Sequence, residues 1–465
     1  MRLYAAELNF RRVAEEFRVP TDFSPAVHQA AASARDRFAD RRRDARDVPF
    51  VTVDPPGSQD LDQAVHLTRR GDGYRVRYAI ADVAAFVVPG GVVEAESLRR
   101  GQTIYLPDEP ARLHPAALSE GSASLLPGVD RPAVVWTMDL DAAGEVEDVS
   151  VERALVRSRA QLDYDSVHAA AQAGQAPAAI ALLGEVGRLR QASSLRRDAV
   201  NLRLPSQRVH RNGDGRYELV IEPRRPVMDY NSEISLLTGM CAGQMMVSAG
   251  KGPLRTLRPA GDGAEEMFRR EARALGYRLA DDDHVGHFLA GVDADSPAGM
   301  AVMREAQKLL RGAGYGLVDD GGAEVHAGIG GHYAHVTAPL RRLIDRFAAE
   351  HCLAISGGYE TPSWAAETVG QAVGAMTRTS QLANTVDRAC LNLTEATVLA
   401  PWLGHNFAAT VLHADRRRGQ SRVFVHEPPV LADTLGSPAD GTRITVSLIK
   451  ADTASREVLF AWPAD

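Results

Sequence analysis

The pattern of this 465-residue chain predicts an α+β fold: a mixed sheet surrounded by helices, with a short helical region before it and a small closed β-barrel after it. Three observations predict it. Strand patterns separated by turn residues run from Pro49 to Arg157. A mostly helical tract follows to about residue 395. The last seventy residues return to short β patterns at the spacing of a five-stranded barrel. The chain is too long for one core, and these changes divide it into residues 1–46, 47–395 and 396–465.

Residues 1–46 read as charged helix, with Leu8, Val13 and Phe17 at helix-compatible intervals, a break at Pro20 and a second helix from about Ser24 to Arg43. This region is a candidate docking or nucleic-acid-binding element. Strands are expected at Phe50 to Val53, Ala64 to Leu67 and Tyr74 to Ile80, the last after the turn Arg70-Gly71-Asp72-Gly73, and again at Ala133 to Leu140 and Val146 to Arg157. Helices are expected from Asp165 to Ala173 and Ala178 to Arg196, then a hairpin about Asn212-Gly213, then a helix from Asn231 to Ala249. The glycine-rich run Ala327 to Gly331 interrupts the helical stretch 255–395. Gly404 to His413, Ser421 to His426, Arg443 to Ile449 and Val458 to Ala461 carry the β patterns of the barrel.

No stretch approaches the roughly 20 uninterrupted apolar residues of a membrane span, and the amino terminus lacks the layout of a signal peptide. A soluble, cytoplasmic protein is therefore expected, with no membrane partner. Cys241, Cys352 and Cys390 lack the pairing of a zinc site or a disulfide framework and read as buried small hydrophobes. The net charge of −7 does not exclude nucleic acid, because a phosphate chain responds to the local field of a groove. Almost all positive charge is arginine, clustered at Arg41 to Arg43, Arg196 and Arg197, Arg224 and Arg225, Arg341 and Arg342, and Arg416 to Arg418. Guanidinium forks suit phosphate oxygens, although most such runs are solvated faces.

The segment Val51-Thr52-Val53-Asp54-Pro55-Pro56-Gly57-Ser58-Gln59-Asp60-Leu61-Asp62-Gln63 places three acids within nine residues, on a loop entered from a strand and stiffened by two prolines. Carboxylates brought together and partly buried need compensation: a bound divalent cation supplies it, or the acids take up protons. Oxygen ligands with a phosphate substrate favour Mg²⁺ or Mn²⁺ over zinc. From spacing alone, a solvated acidic loop accounts for the segment equally well; a calcium loop does not, because the glutamate at its twelfth position is missing.

Four downstream segments break the tie: Gly101-Gln102-Thr103-Ile104-Tyr105-Leu106-Pro107, Ala160 to Val167, Asn231 to Leu237, and Tyr333-Ala334-His335-Val336-Thr337-Ala338-Pro339-Leu340-Arg341-Arg342-Leu343-Ile344-Asp345. With the acidic segment, they resemble the ribonuclease II and ribonuclease R family, whose catalytic domain is called RNB, over approximately residues 22 to 395. The carboxyl-terminal segment resembles a divergent S1 domain, a barrel of the oligonucleotide-binding kind. A variant without N-terminal cold-shock domains is expected, since the acids begin at Asp54 and the preceding residues read as helices.

The resemblance implies residue roles. Asp54, Asp60 and Asp62 match acids that hold Mg²⁺, with Mn²⁺ an alternative. Gln63 stands where the family has a fourth acid; its amide can coordinate but adds no charge. Tyr105 and Tyr164 match substrate-contacting tyrosines, and Glu233 matches a glutamate that helps fix the terminal nucleotide, although Ser232 replaces the usual preceding acid. Ala338 and Leu343 replace the usual serine and tyrosine of the last segment. Arg341 matches the essential arginine, and His335, Thr337 and Arg342 are expected beside the substrate. A helix beginning at about Pro339 would put both arginines in its first turn, where backbone donors favour an anion; an Arg342–Asp345 pair is the structural alternative.

The activity implied is metal-dependent, processive 3′-to-5′ hydrolysis of single-stranded RNA to 5′-mononucleotides, with Asp62 and Arg341 catalytic, an RNA 3′ end as partner, and a monomer expected. The alternative is a catalytically weakened RNA-binding or scaffold protein of the same fold, since Gln63 interrupts the acids while Tyr105, Tyr164 and the barrel would still bind strands. An unrelated phosphoesterase acting on small diesters would need neither the barrel nor two stacking tyrosines.

Overall fold

The computed structural model describes residues 4–5, 8–200, 202, 206–222, 225–280, 282–294, 296–318, 324–428 and 430–463. Arg224, from one of the arginine clusters, lies outside them. Along the chain, β1 (Tyr4–Ala5), α1 (Phe10–Glu16) and α2 (Pro25–Ser33) precede β2 (Arg43–Asp44), β3 (Val51–Asp54), β4 (Gln63–Arg70) and β5 (Gly73–Ala81). After α3 (Val92–Arg100) come β6 (Asp130–Leu140), β7 (Val146–Arg157), β8 (Ala160–Asp163), α4 (Tyr164–Gln172), α5 (Leu183–Arg196), β9 (Ser206–Arg211), β10 (Tyr217–Glu222) and α6 (Pro226–Ser248). Next are β11 (Pro253–Thr256), α7 (Asp262–Ala274), α8 (Val285–Gly291), α9 (Pro297–Ala306), β12 (Gly314–Leu317), α10 (Leu343–Gly357) and α11 (Ser363–Leu399). The last elements are β13 (Asn406–Asp415), β14 (Gln420–Val425), β15 (Val430–Leu435), β16 (Arg443–Asp452) and β17 (Glu457–Ala461). Among the described residues, no helix is long and apolar enough to cross a membrane.

The expected mixed sheet has seven strands in the order β2-β7-β6-β5-β4-β3-β8, antiparallel in its middle and parallel at β2·β7 and β3·β8. Its central strands are buried on both faces, so alternate residues enter two different cores. Tyr78, Ile80, Val134, Trp136 and Met138 pack with Ile234 and Leu237 of α6 and Ala348 and Cys352 of α10. Ala79, Ala81, Ala133 and Val135 pack on the other side with Phe50, Leu61, Leu118 and α2.

The N-terminal helices are integrated into these cores. Phe10, Val13 and Ala14 of α1 pack with Ile104, Tyr217, Val386 and barrel residues, and Val27 and Ala31 of α2 pack against the sheet. Ser24 caps α2 through the Val27 N–H, and Pro25 occupies its first turn. The helix stops at Ser33, well short of Arg43, because the following segment is pinned elsewhere: the buried Arg42 guanidinium bonds Asp36 and, at 2.8 Å, Asp82 of the sheet. Arg42 is thus a structural residue, and Arg43 pairs with Glu152.

The stretch expected to be mostly helical is also interrupted by the antiparallel pair β11·β12. The barrel is closed, in the order β13-β14-β15-β17-β16 with β15·β17 parallel. Its third strand escaped the hydrophobic pattern, because Asp433 and Thr434 dilute a run whose inward residues are only Val430, Ala432 and Thr434.

Candidate active site

The acidic loop takes its shape from Leu61. That side chain is fully buried, its N–H donates to Ser124 Oγ at 3.0 Å, and its carbonyl accepts from the Leu125 N–H at 3.0 Å. Residues two apart in extended backbone share a face, so sinking Leu61 into the core leaves Asp60 and Asp62 together on the opposite side. Asp54 closes β3. The parallel register sets it opposite Asp163, which caps α4 through the Ser166 N–H, and Tyr164 at the start of α4 therefore stands beside Asp54.

The arginine loop meets this cluster from the far end of the sequence. Asp62 Oδ1 accepts from the Leu340 N–H at 2.8 Å, and Asp62 Oδ2 lies 3.3 Å from Arg341 Nε. The Asp62 side chain is 4% exposed and that of Arg341 45%, so the carboxylate is closed in while the guanidinium keeps an open side. Gly101 ends α3 at φ +68, and a Cβ there would run into Thr379. The segment after it pairs with the loop: the Thr103 N–H donates to the Arg341 carbonyl and the Leu343 N–H to the Gly101 carbonyl, both at 2.9 Å. This pairing delivers the half-exposed Tyr105 to the neighbourhood of Arg341.

Burial pushes Asp54 up to about 6 and Asp62 up to about 8, and it raises Asp60 as well; Arg341 pulls all three back down, while Asp60 raises both of its neighbours. One guanidinium cannot balance three carboxylates near neutral pH. An all-oxygen donor set in that condition fits a divalent cation of the Mg²⁺ or Mn²⁺ type. Among the described residues, the only group of three potential ligands within 4.8 Å of one another is Glu271, Glu305 and His413. The Lys308 ammonium already pairs with Glu305 there. The three aspartates do not meet that 4.8 Å spacing.

Several expected site residues have other places. The helix after the arginine loop starts at Leu343, not Pro339, because Asp345 in its first turn reaches back to the Ala338 N–H at 2.7 Å and holds Arg342 by two bonds of 3.0 and 2.7 Å. Arg342 is thereby the structural partner of Asp345, and neither arginine sits in a helical first turn. Gln63 is engaged at both ends: Nε2 donates to the Thr337 carbonyl and Oε1 accepts from the Tyr78 hydroxyl, each at 2.6 Å. The oxygen expected to bind metal thus already accepts one hydrogen bond within the fold.

His335 Nδ1 bonds the Tyr315 hydroxyl at 2.8 Å, and burial beside Arg342 and Arg255 holds the ring neutral. Thr337 Oγ1 accepts from Arg342 at 3.5 Å, so His335 and Thr337 both carry hydrogen bonds that shape the loop. Gly239 on α6 admits this segment, since a Cβ there would meet the Tyr333 ring.

Glu233 does not join the cluster. Successive helical residues rotate by about 100°, so Asn231 and Ser235 share a face that Glu233 does not. Asn231 Nδ2 donates to the Tyr164 hydroxyl at 3.3 Å and Ser235 Oγ contacts the Tyr78 hydroxyl at 2.8 Å. Burial pushes Glu233 up to about 7, and the charges acting on it are instead Arg190 of α5, Arg197 just past its end, and Asp229. Asn231, Ser235 and Tyr78 are the site-side residues that sequence reading missed. Helical spacing alone separates the two faces of α6 without saying which one meets the acids.

A seven-stranded sheet with flanking helices, a terminal five-stranded barrel, and a buried carboxylate cluster tied to a half-open arginine define the architecture around the candidate site. The RNB domain model matches residues 42–350, and the model of the RNase II-type exonuclease C-terminal S1 domain matches residues 405–462. The chain belongs to the RNB family. It is 26% identical to Ribonuclease R of Chlamydia trachomatis over 355 residues, covering 73% of this chain and 51% of that protein. It is 25% identical to Ribonuclease R of Chlamydia muridarum over 416 residues, covering 86% and 58%. The chain thus spans between half and three fifths of the length of these curated relatives. Its fold is similar to that of Mycoplasma genitalium RNase R in complex with ribose-methylated single-stranded RNA, with a TM-score of 0.87 at 16% identity, covering 97% of this chain and 77% of that one. It is also similar to yeast Ssd1, described as a pseudonuclease, with a TM-score of 0.70 at 14% identity, covering 95% and 58%.

Proposed function

We propose that this chain is a divalent-metal-dependent 3′-to-5′ exoribonuclease that processively hydrolyses single-stranded RNA to 5′-mononucleotides. The observation that carries the proposal is the junction of Asp62 with Leu340 and Arg341, which joins the acidic cluster to a guanidinium open on one side. Asp54, Asp60 and Asp62 would hold Mg²⁺ or Mn²⁺. The bound ion supplies activation of the attacking water and charge neutralisation at the leaving oxygen. Arg341 donates to the phosphate's non-bridging oxygens as negative charge builds on them. The Leu340 N–H fixes the orientation of Asp62, and Asn231 fixes the Tyr164 hydroxyl next to Asp54. The exposed Tyr105 ring, beside Arg341, offers a stacking face to a base near the scissile bond without reading its identity.

The deciding assay incubates 3′-labelled and 5′-labelled single-stranded RNA with Mg²⁺ or Mn²⁺. Release of labelled mononucleotide from the 3′ end, with a ladder shortening from that end in the 5′-labelled strand, is expected. Internal cuts would overturn the exonuclease reading. Binding without metal-dependent cleavage would favour a pseudonuclease, which the neutral Gln63 and the likeness to Ssd1 keep as the second reading. In addition, Tyr105→Ala is expected to weaken single-stranded RNA binding by about 1–3 kcal/mol, the usual worth of one stacked base. The melting temperature should stay unchanged, because the ring is half exposed. Fluorescence anisotropy against a short labelled RNA reads the first effect, and an unaltered Kd would remove the stacking role.

A further inference from the structure

The loop bearing Arg341 is shaped by a series of outside ties. The Thr337 carbonyl accepts from Gln63 Nε2 at 2.6 Å and the Ala338 N–H donates to Asp345 at 2.7 Å. The Leu340 N–H donates to Asp62 at 2.8 Å and the Arg341 carbonyl accepts from the Thr103 N–H at 2.9 Å. Four of the five residues from Thr337 to Arg341 are thus tied through their backbone to residues outside the stretch. The first tie is anchored in depth: Gln63 Oε1 accepts from the Tyr78 hydroxyl at 2.6 Å, and that hydroxyl contacts Ser235 Oγ at 2.8 Å. A hydrogen-bonded chain therefore runs from α6 through β5 and β4 into the arginine loop.

We infer that Gln63 is a positioning residue for Arg341, holding the arginine loop in register with Asp62, and is not a ligand of the metal. This rests on the nuclease reading for its kinetic consequence but not for its structural one. The chemistry of the place requires a side chain that accepts from a phenol at one end and donates to a carbonyl at the other. An amide does both. A carboxylate could accept from Tyr78 but, when ionised, would present a lone pair to the Thr337 carbonyl. Gln63 and Asp62 are consecutive, and each fixes one end of the stretch from Thr337 to Leu340, so the pair sets where Arg341 emerges.

Gln63→Met keeps the length of the side chain and removes both the donor and the potential ligand. At saturating metal, kcat is expected to fall on the order of tenfold to a hundredfold, the scale of an ångström-sized misplacement, with the RNA Kd retained and the melting temperature lowered by the buried Thr337 carbonyl losing its donor. Mn²⁺ affinity, measured by calorimetry without RNA, should be unchanged. Amide hydrogen exchange in the peptide covering residues 337–342 should quicken. Tyr78→Phe, which releases Gln63 Oε1 but leaves the residue in place, should lower kcat in the same direction. The double variant should fall little below Gln63→Met, because both act through one tie. Weakened Mn²⁺ binding in Gln63→Met, with kcat restored by excess metal, would establish a ligand role and overturn the inference. So would exchange rates in the loop equal to those of the unaltered protein. A wild-type chain that binds Mn²⁺ yet cleaves no RNA would overturn the nuclease reading, and the exchange measurement would still decide the role of Gln63.

Discussion

Arg341→Ala is expected to lower kcat about a thousandfold at saturating RNA and metal, the upper part of the range for losing one preorganised donor aimed at developing charge. On the nuclease reading the guanidinium has two jobs. Its Nε side faces Asp62 at 3.3 Å, while its open side is available to a phosphate oxygen. Losing the first job removes the charge that pulls the buried Asp62 and Asp54 carboxyls downward, so the metal requirement should rise along with the fall in kcat. Losing the second should persist when metal is in excess. The two parts therefore separate: a titration with Mn²⁺ recovers only a fraction of the activity. Arg341→Lys should recover less than its retained charge suggests, because an ammonium is a point charge and cannot bridge carboxylate and phosphate as a planar fork does. Single-turnover kinetics on a 3′-labelled oligonucleotide provide the measurement. A variant within threefold of the unaltered protein would remove Arg341 from the chemistry.

The parts of this fold that were legible in the sequence are those decided by local pattern. β5 and β6 alternate between two cores, and β7 ends where its pattern ends. Ser24 followed by Pro25 marks a helix start that the structure keeps. Failures occurred where a distant side chain overrides the local preference. The segment after Ser33 has a helical composition, but Arg42 is drawn into the sheet by Asp82, a partner that no local window contains. Pro339 is a good first helical residue, yet Asp345 closes a turn on the Ala338 N–H and delays the helix to Leu343.

The same distinction divides the site. Asp54, Asp60 and Asp62 announce themselves by spacing, and burying Leu61 is enough to put two of them on one face. The arrival of Arg341 depends on the sheet, on α3 ending at Gly101, and on the backbone pairing that follows. The environments of Gln63 and Glu233 depend on quantities a sequence does not display: which face of α6 meets the acids, and that Tyr78 stands ready to engage an amide. A motif assigned both residues to substrate or metal by position. Within the fold, Gln63 bonds Thr337 and Tyr78, and the charges nearest Glu233 are Arg190, Arg197 and Asp229.

Asp62→Asn is the sharper of the two large predictions, because it sets activity against stability. The substitution keeps shape and can keep the 2.8 Å bond from the Leu340 N–H, but it removes the negative charge and turns a donor or a carbonyl oxygen toward Arg341. Turnover should drop by about a thousandfold or more, since both the metal and the arginine lose their shared carboxylate. RNA affinity should hold within a few-fold, because Tyr105, Tyr164 and the barrel are untouched and one charge repelling phosphate is gone. The folded state raises the carboxyl of Asp62 to about 8, far above its ordinary range, so the folded chain binds that proton more tightly than the unfolded one. Stability in metal-free buffer therefore falls as pH rises from the ordinary carboxylate range through about 8. Asparagine carries no such dependence. The variant should melt at the same temperature as the unaltered protein or higher, with its advantage widening up to about pH 8 and vanishing in strong acid. Thermal melts across that range, in the presence of a chelator, measure the difference. A variant that loses RNA binding in step with turnover, or that melts lower as pH rises, would show that Asp62 serves the fold and not the reaction.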